Sequence, residues 1–452
     1  MSGRIDFTLD FKTRAAKLKR NPGNQYRIYI LGCFSGRSDN PETPCKIHKI
    51  DQDSFNRVMA EIAPLIDIDG GISLNFASLD DFHPDVWLHK VAFINELLIL
   101  RGQLQNPVTA TQAASKIQTF LSAESSVKVA DSENVAESQD DMLQRLLGKQ
   151  PDPQASATNS LEEFIKTMVA PHISQNIQPQ NQQLIAIIDS TVNQFARNIL
   201  HKHAFQSLEA LWRGTDALLN EEAAERHSFY LLDIGQDELS TEIKIDSKAF
   251  TQTLLQHIQK FDVEQDVLLM GDFSFSGNSD DNELMAYCAN LAEACNAQFL
   301  AAVDQAFLQK MPDVHVNQKT ATISSLMLAY PRYLLRLPYG NKRDPIDTIA
   351  FEECSPQPKL QELLWGNAAF VAARVLLRMA EDDASNDAQF FSDTPAFSFA
   401  KDGESILQPG TEVVLTETQA NELLERGIMP LIGYQQQRGI RLLGVTTFLD
   451  SL

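Results

Sequence analysis

Residues 267–275 read VLLMGDFSF, a strand signal whose neighbours decide the fold class. Upstream lie SFYLLDI (228–234) and a helical pattern over 248–260. Downstream lie a helical pattern over 281–296 and QFLAAVD (298–304). Strands separated by helices of about 10–15 residues predict a largely parallel sheet in an α/β core. Further out, YRIYILGCF (26–34) reads as a buried strand ending in the polar turn SGRSDN, Asp53 to Ala63 as helix, and ISLNF (72–76) as a strand. Asp81 to Gln105 reads as one long amphipathic helix, with Pro84 in its first turn and Asp85 at its positive end. IDFTLDF (5–11) alternates as a strand. Strand signals also fall at VVLTE (413–417) and IMPLIGY (428–434), with RGIRLLGV (438–445) as a pairing partner. In YPRYLLRLPYG (330–340), alternation predicts a strand buried mainly on one face and ended by Pro338 and Gly340.

Composition bounds the function. The chain has 452 residues, which implies two or three domains, and a net charge of −22. That balance argues against nucleic acid, because phosphate binding needs clustered Lys and Arg. The first twenty residues are locally basic through Arg4, Lys12, Arg14, Lys17, Lys19 and Arg20. They read as a solvated arm or, more sharply, as an arm that docks on an acidic neighbouring copy. Residues 107–160 are rich in Ser, Gln, Asp and Ala and read as a polar linker. It separates a 1–106 region from a 161–452 region, and the acidic stretch 381–393 reads as a loop. No apolar run approaches the ~18 residues of a transmembrane helix, and no signal-peptide core is present. The five cysteines (Cys33, Cys45, Cys288, Cys295, Cys354) are scattered, as in reduced cytoplasmic proteins.

The search for chemistry is negative. No phosphate-binding loop or dinucleotide fingerprint occurs. Ser35 lacks the flanking glycines of a nucleophile elbow. His201 and His203 diverge on a helix, and SLDDFHPD (78–85) reads as helix-start chemistry rather than a metal cluster. Catalytic, cofactor and metal sites are therefore expected to be absent, and the chain is read as no enzyme.

Other motifs carry a resemblance. YRIYILGCFSGRSDN, IDQDSFNRVMAEIAPLIDI and FASLDDFHPDVWLHKVAFINELLILRGQL together resemble the small subunit of the type VI secretion contractile sheath (TssB, or VipA). HAFQSLEALWRGTDALL (203–219), LLMGDFSF, AQFLAAVD, YPRYLLRLPYG, LLWGNAAFVAARVL and TEVVLTETQANELLERGIMPLIGY resemble the large subunit (TssC, or VipB) in order. The resemblance implies both subunits fused in one chain. Phe34, Gly36 and Arg37, then Asp81, Phe82, His83 and Pro84, fall on the first set of motifs. Trp212, Arg213 and Gly214, Arg336, Leu337, Pro338, Tyr339 and Gly340, and Trp365, Gly366 and Asn367 fall on the second. All are expected as core pieces, with Arg336 pairing with Glu352 or Glu353 or else exposed on a strand's wet face. Cys33 stands where the family has Asp, the large-subunit part is short, and the 381–393 segment replaces a Gly-rich stretch.

The resemblance implies a mixed α/β sheath subunit with flanking helices. It would polymerise with many copies around an inner (Hcp-like) tube and contract to drive that tube out. Baseplate components and a recycling AAA+ ATPase (ClpV-like) are implied partners, with no cofactor, nucleic acid or membrane insertion. Neighbouring copies are expected to exchange terminal strands, with Ile5, Phe7, Leu9 and Phe11 meeting Ile428, Leu431, Ile432, Ile440 and Leu442 of another copy. The alternative within the same machine is a non-contracting baseplate or terminator component. A soluble adaptor or an enzyme is the alternative class.

Overall fold

The computed structural model describes residues 25–37, 46–68, 71–123, 180–246, 248–260, 265–311, 325–381, 388–434 and 438–448. The strand expected at 5–11 and the basic arm lie outside them. The chain divides into two compact units. One comprises Met1–Ile62, Gln206–Leu337 and Pro356–Leu452, and the other Ala63–Phe205 and Pro338–Ser355.

A nine-stranded sheet organises the first unit. Its strands are β1 (Tyr26–Gly32), β2 (Ile47–Ile50), β3 (Ser228–Asp233), β4 (Asp266–Phe275), β5 (Ala297–Val303), β6 (Leu326–Tyr330), β7 (Phe390–Phe391), β8 (Ile428–Gly433) and β9 (Ile440–Leu442). Across the sheet they run β7-β9-β8-β6-β5-β4-β1-β3-β2. The central pairs, from β8·β6 through β1·β3, are parallel. The outer pairs β2·β3, β8·β9 and β7·β9 are antiparallel. The α/β expectation therefore holds, in a mixed sheet.

The run of apolar residues in the central strands follows from burial on both faces. Tyr29, Leu31, Leu269 and Phe299 point to one side, into a cluster with Leu254, Met285 and Cys288 of the helices Ala249–Gln259 and Ser279–Ala294. The alternate residues Ile28, Ile30, Leu268 and Leu300 are equally buried and point to the other side. The helix Ala368–Ala380 packs on β4, β5 and β6. Cys33, Cys288, Cys295 and Cys354 are free thiols, three of them buried.

The second unit is helical. Helices Ala92–Gln105, Ala110–Ala123 and Gln180–Leu200 pack together. A hairpin, Leu65–Ile68 with Ile72–Asn75, leads into an aromatic cluster. In it Phe76 stacks on Phe82 at 4.2 Å, and Phe205 meets both edge-on.

Four local expectations are corrected. The helix at 110–123 occupies the start of the stretch read as linker, because Ala110 and Ala113 recur at helical spacing and are buried. The expected long helix is three pieces: a 3₁₀ turn (Leu79–Phe82) and helices Pro84–Lys90 and Ala92–Gln105. It breaks at Val91, whose β-branched side chain is buried while its backbone is extended (φ −84, ψ 106). VVLTE is not a strand: Thr416 caps the helix Glu417–Glu425 in a capping box with Gln419. In YPRYLLRLPYG the expected strand is reduced to Tyr333–Leu334, antiparallel to Trp365–Gly366, after Tyr330 ends the fully buried β6 and a cis Tyr330–Pro331 peptide follows.

Candidate assembly surface

The motif residues are buried or half-buried, each unit holding its own. In the first unit β1 ends in a turn that places Phe34 edge-on to Trp212 at 5.0 Å, and the indole N–H donates to the Phe34 carbonyl at 3.1 Å. Gly36 follows at φ 70, a left-handed turn position that suits glycine. Arg37 pairs with Asp233 at 3.1 Å and Glu238 at 3.4 Å. Cys33 donates to the Arg37 carbonyl, and burial pushes its thiol up to about 11, so it is no nucleophile. Gly214 lets the helix His203–Leu219 approach Phe370, since a Cβ there would lie 2.8 Å from the ring.

Arg336 is buried, and among its partners is Glu209. Its Nε and Nη2 donate to the two Glu209 oxygens at 2.8 and 3.3 Å, and Arg213 donates to the same group at 2.8 Å. Burial alone would raise the Glu209 carboxyl, but Arg336 and then Arg213 outweigh it and hold it below its ordinary range. Glu209 was legible only as the residue one helical turn before Arg213 in LEALWRG. Leu337, half-buried, closes this segment. Gly366 pairs with Tyr333, the Trp365 indole donates to the Leu360 carbonyl at 2.7 Å, and Asn367 caps the helix Ala368–Ala380. Its amide also donates to the Phe273 carbonyl at 2.9 Å.

In the second unit SLDDFHPD is helix-start chemistry. Asp81 accepts from the Ala77 and Ser78 N–H groups and pairs with Lys90 at 2.9 Å. His83 accepts from the Asp85 N–H, and its ring meets Tyr339 edge-on at 4.9 Å. Pro84 opens the helix. Asp85 accepts from the N–H groups of Asp347 and Thr348, both at 2.9 Å. Those bonds outweigh burial and keep its carboxyl low. Pro338, Tyr339 and Gly340 are buried, and the Tyr339 N–H donates to Glu353. Among the described residues no group of His, Cys, Asp or Glu is placed to hold a metal ion, and no helix is long and apolar enough to cross a membrane.

A second cluster escaped the sequence reading. Glu221 accepts from Arg374 at 2.7 Å and from Arg378. Both guanidinium groups lie over the Phe391 ring, at 4.4 and 4.1 Å, and so hold β7 on the sheet edge. This edge bears on strand exchange. Ile428, Leu431 and Ile432 lie on β8, which is paired with β6 on one side and β9 on the other. Ile440 and Leu442 lie on β9, whose other side carries β7 and a bond from the Leu442 N–H to the Gln389 carbonyl. The C-terminal strands are thus interior ladder strands of their own chain. The residues expected to meet them from another copy, Ile5, Phe7, Leu9 and Phe11, lie outside the described residues.

Comparison with known proteins decides what this architecture is. The VipB family profile, an EvpB-type tail sheath N-terminal domain, matches residues 182–326 and 319–448. The VipA profile of the type VI secretion system matches residues 2–133. The chain belongs to the type VI secretion tail-sheath family. It fuses a VipA-type and a VipB-type part, as the motifs implied. The sheath protein TssC1 of Pseudomonas aeruginosa is 25% identical over 321 residues, which cover 61% of this sheath protein. The match spans 64% of the length of that relative.

Proposed function

We propose that this type VI secretion sheath subunit polymerises with copies of itself into a helical tube around an inner tube, and contracts to drive that tube out. The observation that carries the reading is the place of β1. This VipA-type strand lies between β3 and β4 of the VipB-type part, so the two family parts share one sheet. The side chains that stand out are buried anchors, which suits a load-bearing part better than an enzyme. The inner-tube protein, baseplate components and a recycling AAA+ ATPase are the partners, and the cytoplasm is the site of assembly. Copies are joined by exchange of the N-terminal strand 5–11. Electron microscopy of the purified full chain tests this. Striated tubes are expected, and a protein that stays monomeric at high concentration overturns it.

A second reading is a non-contracting baseplate or terminator component. The short connection between β5, which ends at Val303, and β6, which begins at Leu326, favours it, because the large subunit that this part resembles has a longer insert there. Caps or short rings instead of tubes distinguish the two.

A further inference from the structure

In the first unit the VipB-type part holds β1 through two imidazoles, one at its first residue and one at Tyr29. His227, the residue before β3, accepts the Tyr26 N–H on its Nδ1 at 2.9 Å, and the two rings lie 5.6 Å apart. His257, in the last turn of the helix Ala249–Gln259, places its Nδ1 3.2 Å from the Tyr29 hydroxyl. Its ring meets Tyr29 and Tyr230 edge-on at 5.8 and 5.2 Å, and those two rings stack at 4.9 Å. Arg27, buried on β1, donates from Nη1 to the Ile258 carbonyl at 3.0 Å. We propose that His227 and His257 form an acid-sensitive clasp, which holds the start of the VipA-type strand while neutral and frees it when charged.

The chemistry of the first contact is one-sided. Only a ring nitrogen without a proton can accept a backbone N–H, so charging His227 removes that bond outright. At His257 the hydroxyl can give or take the bond, and charge is opposed there by the neighbours instead. Cations act on both rings: Arg226 on His227, and Lys260 and Arg27 on His257. The carboxylate at the start of β4, Asp266, acts on the Tyr26 phenol, and the buried Cys295 thiol, raised to about 11, faces Tyr29 as a neutral group. Burial and then Arg226 push His227 down to about 4, and burial followed by Lys260 and Arg27 lowers His257 as well. The folded value of His227 lies below its ordinary 6.5. Its hold is therefore complete above pH 6.5 and is lost as pH falls toward 4. Between pH 8 and pH 5.5 the opened form, with an ordinary imidazole, gains about tenfold in population, which partial exposure of the ring trims to about fivefold. The seam between the two family parts is thus tight at neutral pH and loosens in acid. This goes beyond the assembly reading and does not rest on it.

Two measurements on the full chain test this. Exchange of the imidazole C2 hydrogens, followed by mass spectrometry, titrates each histidine in the unaltered protein. His227 should remain mostly neutral at about pH 5.5, and a midpoint at its ordinary value overturns the proposal. Amide exchange, divided by the intrinsic rate at each pH, reads the opening itself. Protection over Tyr26–Ile28 should fall about fivefold from pH 8 to pH 5.5, while β5 keeps its protection. His227→Asn presents a carbonyl oxygen near the place of Nδ1 and cannot be charged, so most of that pH response should vanish. His257→Asn should remove the smaller remainder. Protection over Tyr26–Ile28 that is the same at both pH values in the wild-type chain overturns the inference, as does a His227→Asn chain that responds like wild type. The C2 titration needs no variant, so it decides even where His227→Asn does not fold.

Discussion

Glu209→Gln is the sharpest probe of the buried charge cluster. Glu209 has no exposed surface and accepts three arginine bonds, two from Arg336 and one from Arg213. Glutamine keeps the shape but removes the charge and turns an N–H₂ group toward one arginine donor. A hydrogen bond to a charged group is worth about 1.5–3 kcal/mol and a neutral one about 1 kcal/mol. Weakening three such bonds around the buried Arg336 should therefore cost about 3 kcal/mol, close to the loss when a buried pair is broken. Arg213→Ala should cost only about 1 kcal/mol, because that side chain is 26% exposed. Guanidinium unfolding followed by tryptophan fluorescence reads both. The pH dependence adds a second check. The arginines hold the folded carboxyl below its ordinary value of 4.5, so its stabilisation is complete above that pH and is lost as pH falls through the lower folded value. The difference between wild type and Glu209→Gln should shrink in acid. A cost below about 1 kcal/mol at pH 7, or one that persists unchanged in acid, would refute the assignment of Glu209 as the carboxylate that holds Arg336.

Gly214→Val places side-chain carbon where Phe370 lies 2.8 Å from a bare Cβ, and should lower stability by about 1–3 kcal/mol in a thermal melt. Phe391→Ala removes the ring gripped by Arg374 and Arg378, so amide exchange at 388–393 and 440–442 should quicken while β4 and β5 stay protected. Asp272 is raised by burial to about 6, against 3.8 unfolded. Its charge therefore costs stability above pH 6, and that cost recedes as pH falls toward 4. Asp272→Asn should stabilise the protein at pH 8 relative to wild type and lose that advantage at pH 4, as measured by denaturant midpoints.

What the sequence showed depended on range. β1, β3, β4 and β5 were legible because each is a run of buried apolar residues bounded by turns, and the helices between them announce themselves by spacing. β6 was missed although LMLAY is wholly apolar, since its place between β5 and β8 is set by partners far along the chain. The break at Val91 reflects tertiary burial that overrides a good helical pattern. The hairpin at 398–407 had a local signal, Asp402-Gly403, that the strand reading did not use. Glu221 and Phe391 carried no local signal, because their significance lies in arginines that fold back onto them, and Glu209 showed only by its spacing to Arg213.

The position of β1 also has a consequence for biogenesis. It pairs on both flanks with strands made much later: Tyr26 and His227, bonded at its start, stand 201 positions apart. During translation the central sheet therefore cannot close until β4 has left the ribosome, and β1 must wait as an unpaired apolar strand. If the two family segments were separate chains, that wait would end in a bimolecular encounter that depends on how much of each is made. Here it ends in closure of a long loop, which costs about 5 kcal/mol of chain entropy but does not depend on concentration. The tether acts as an effective concentration of order millimolar. Covalent linkage thus fixes the two parts at one-to-one stoichiometry, so no orphan small-subunit strand accumulates to aggregate.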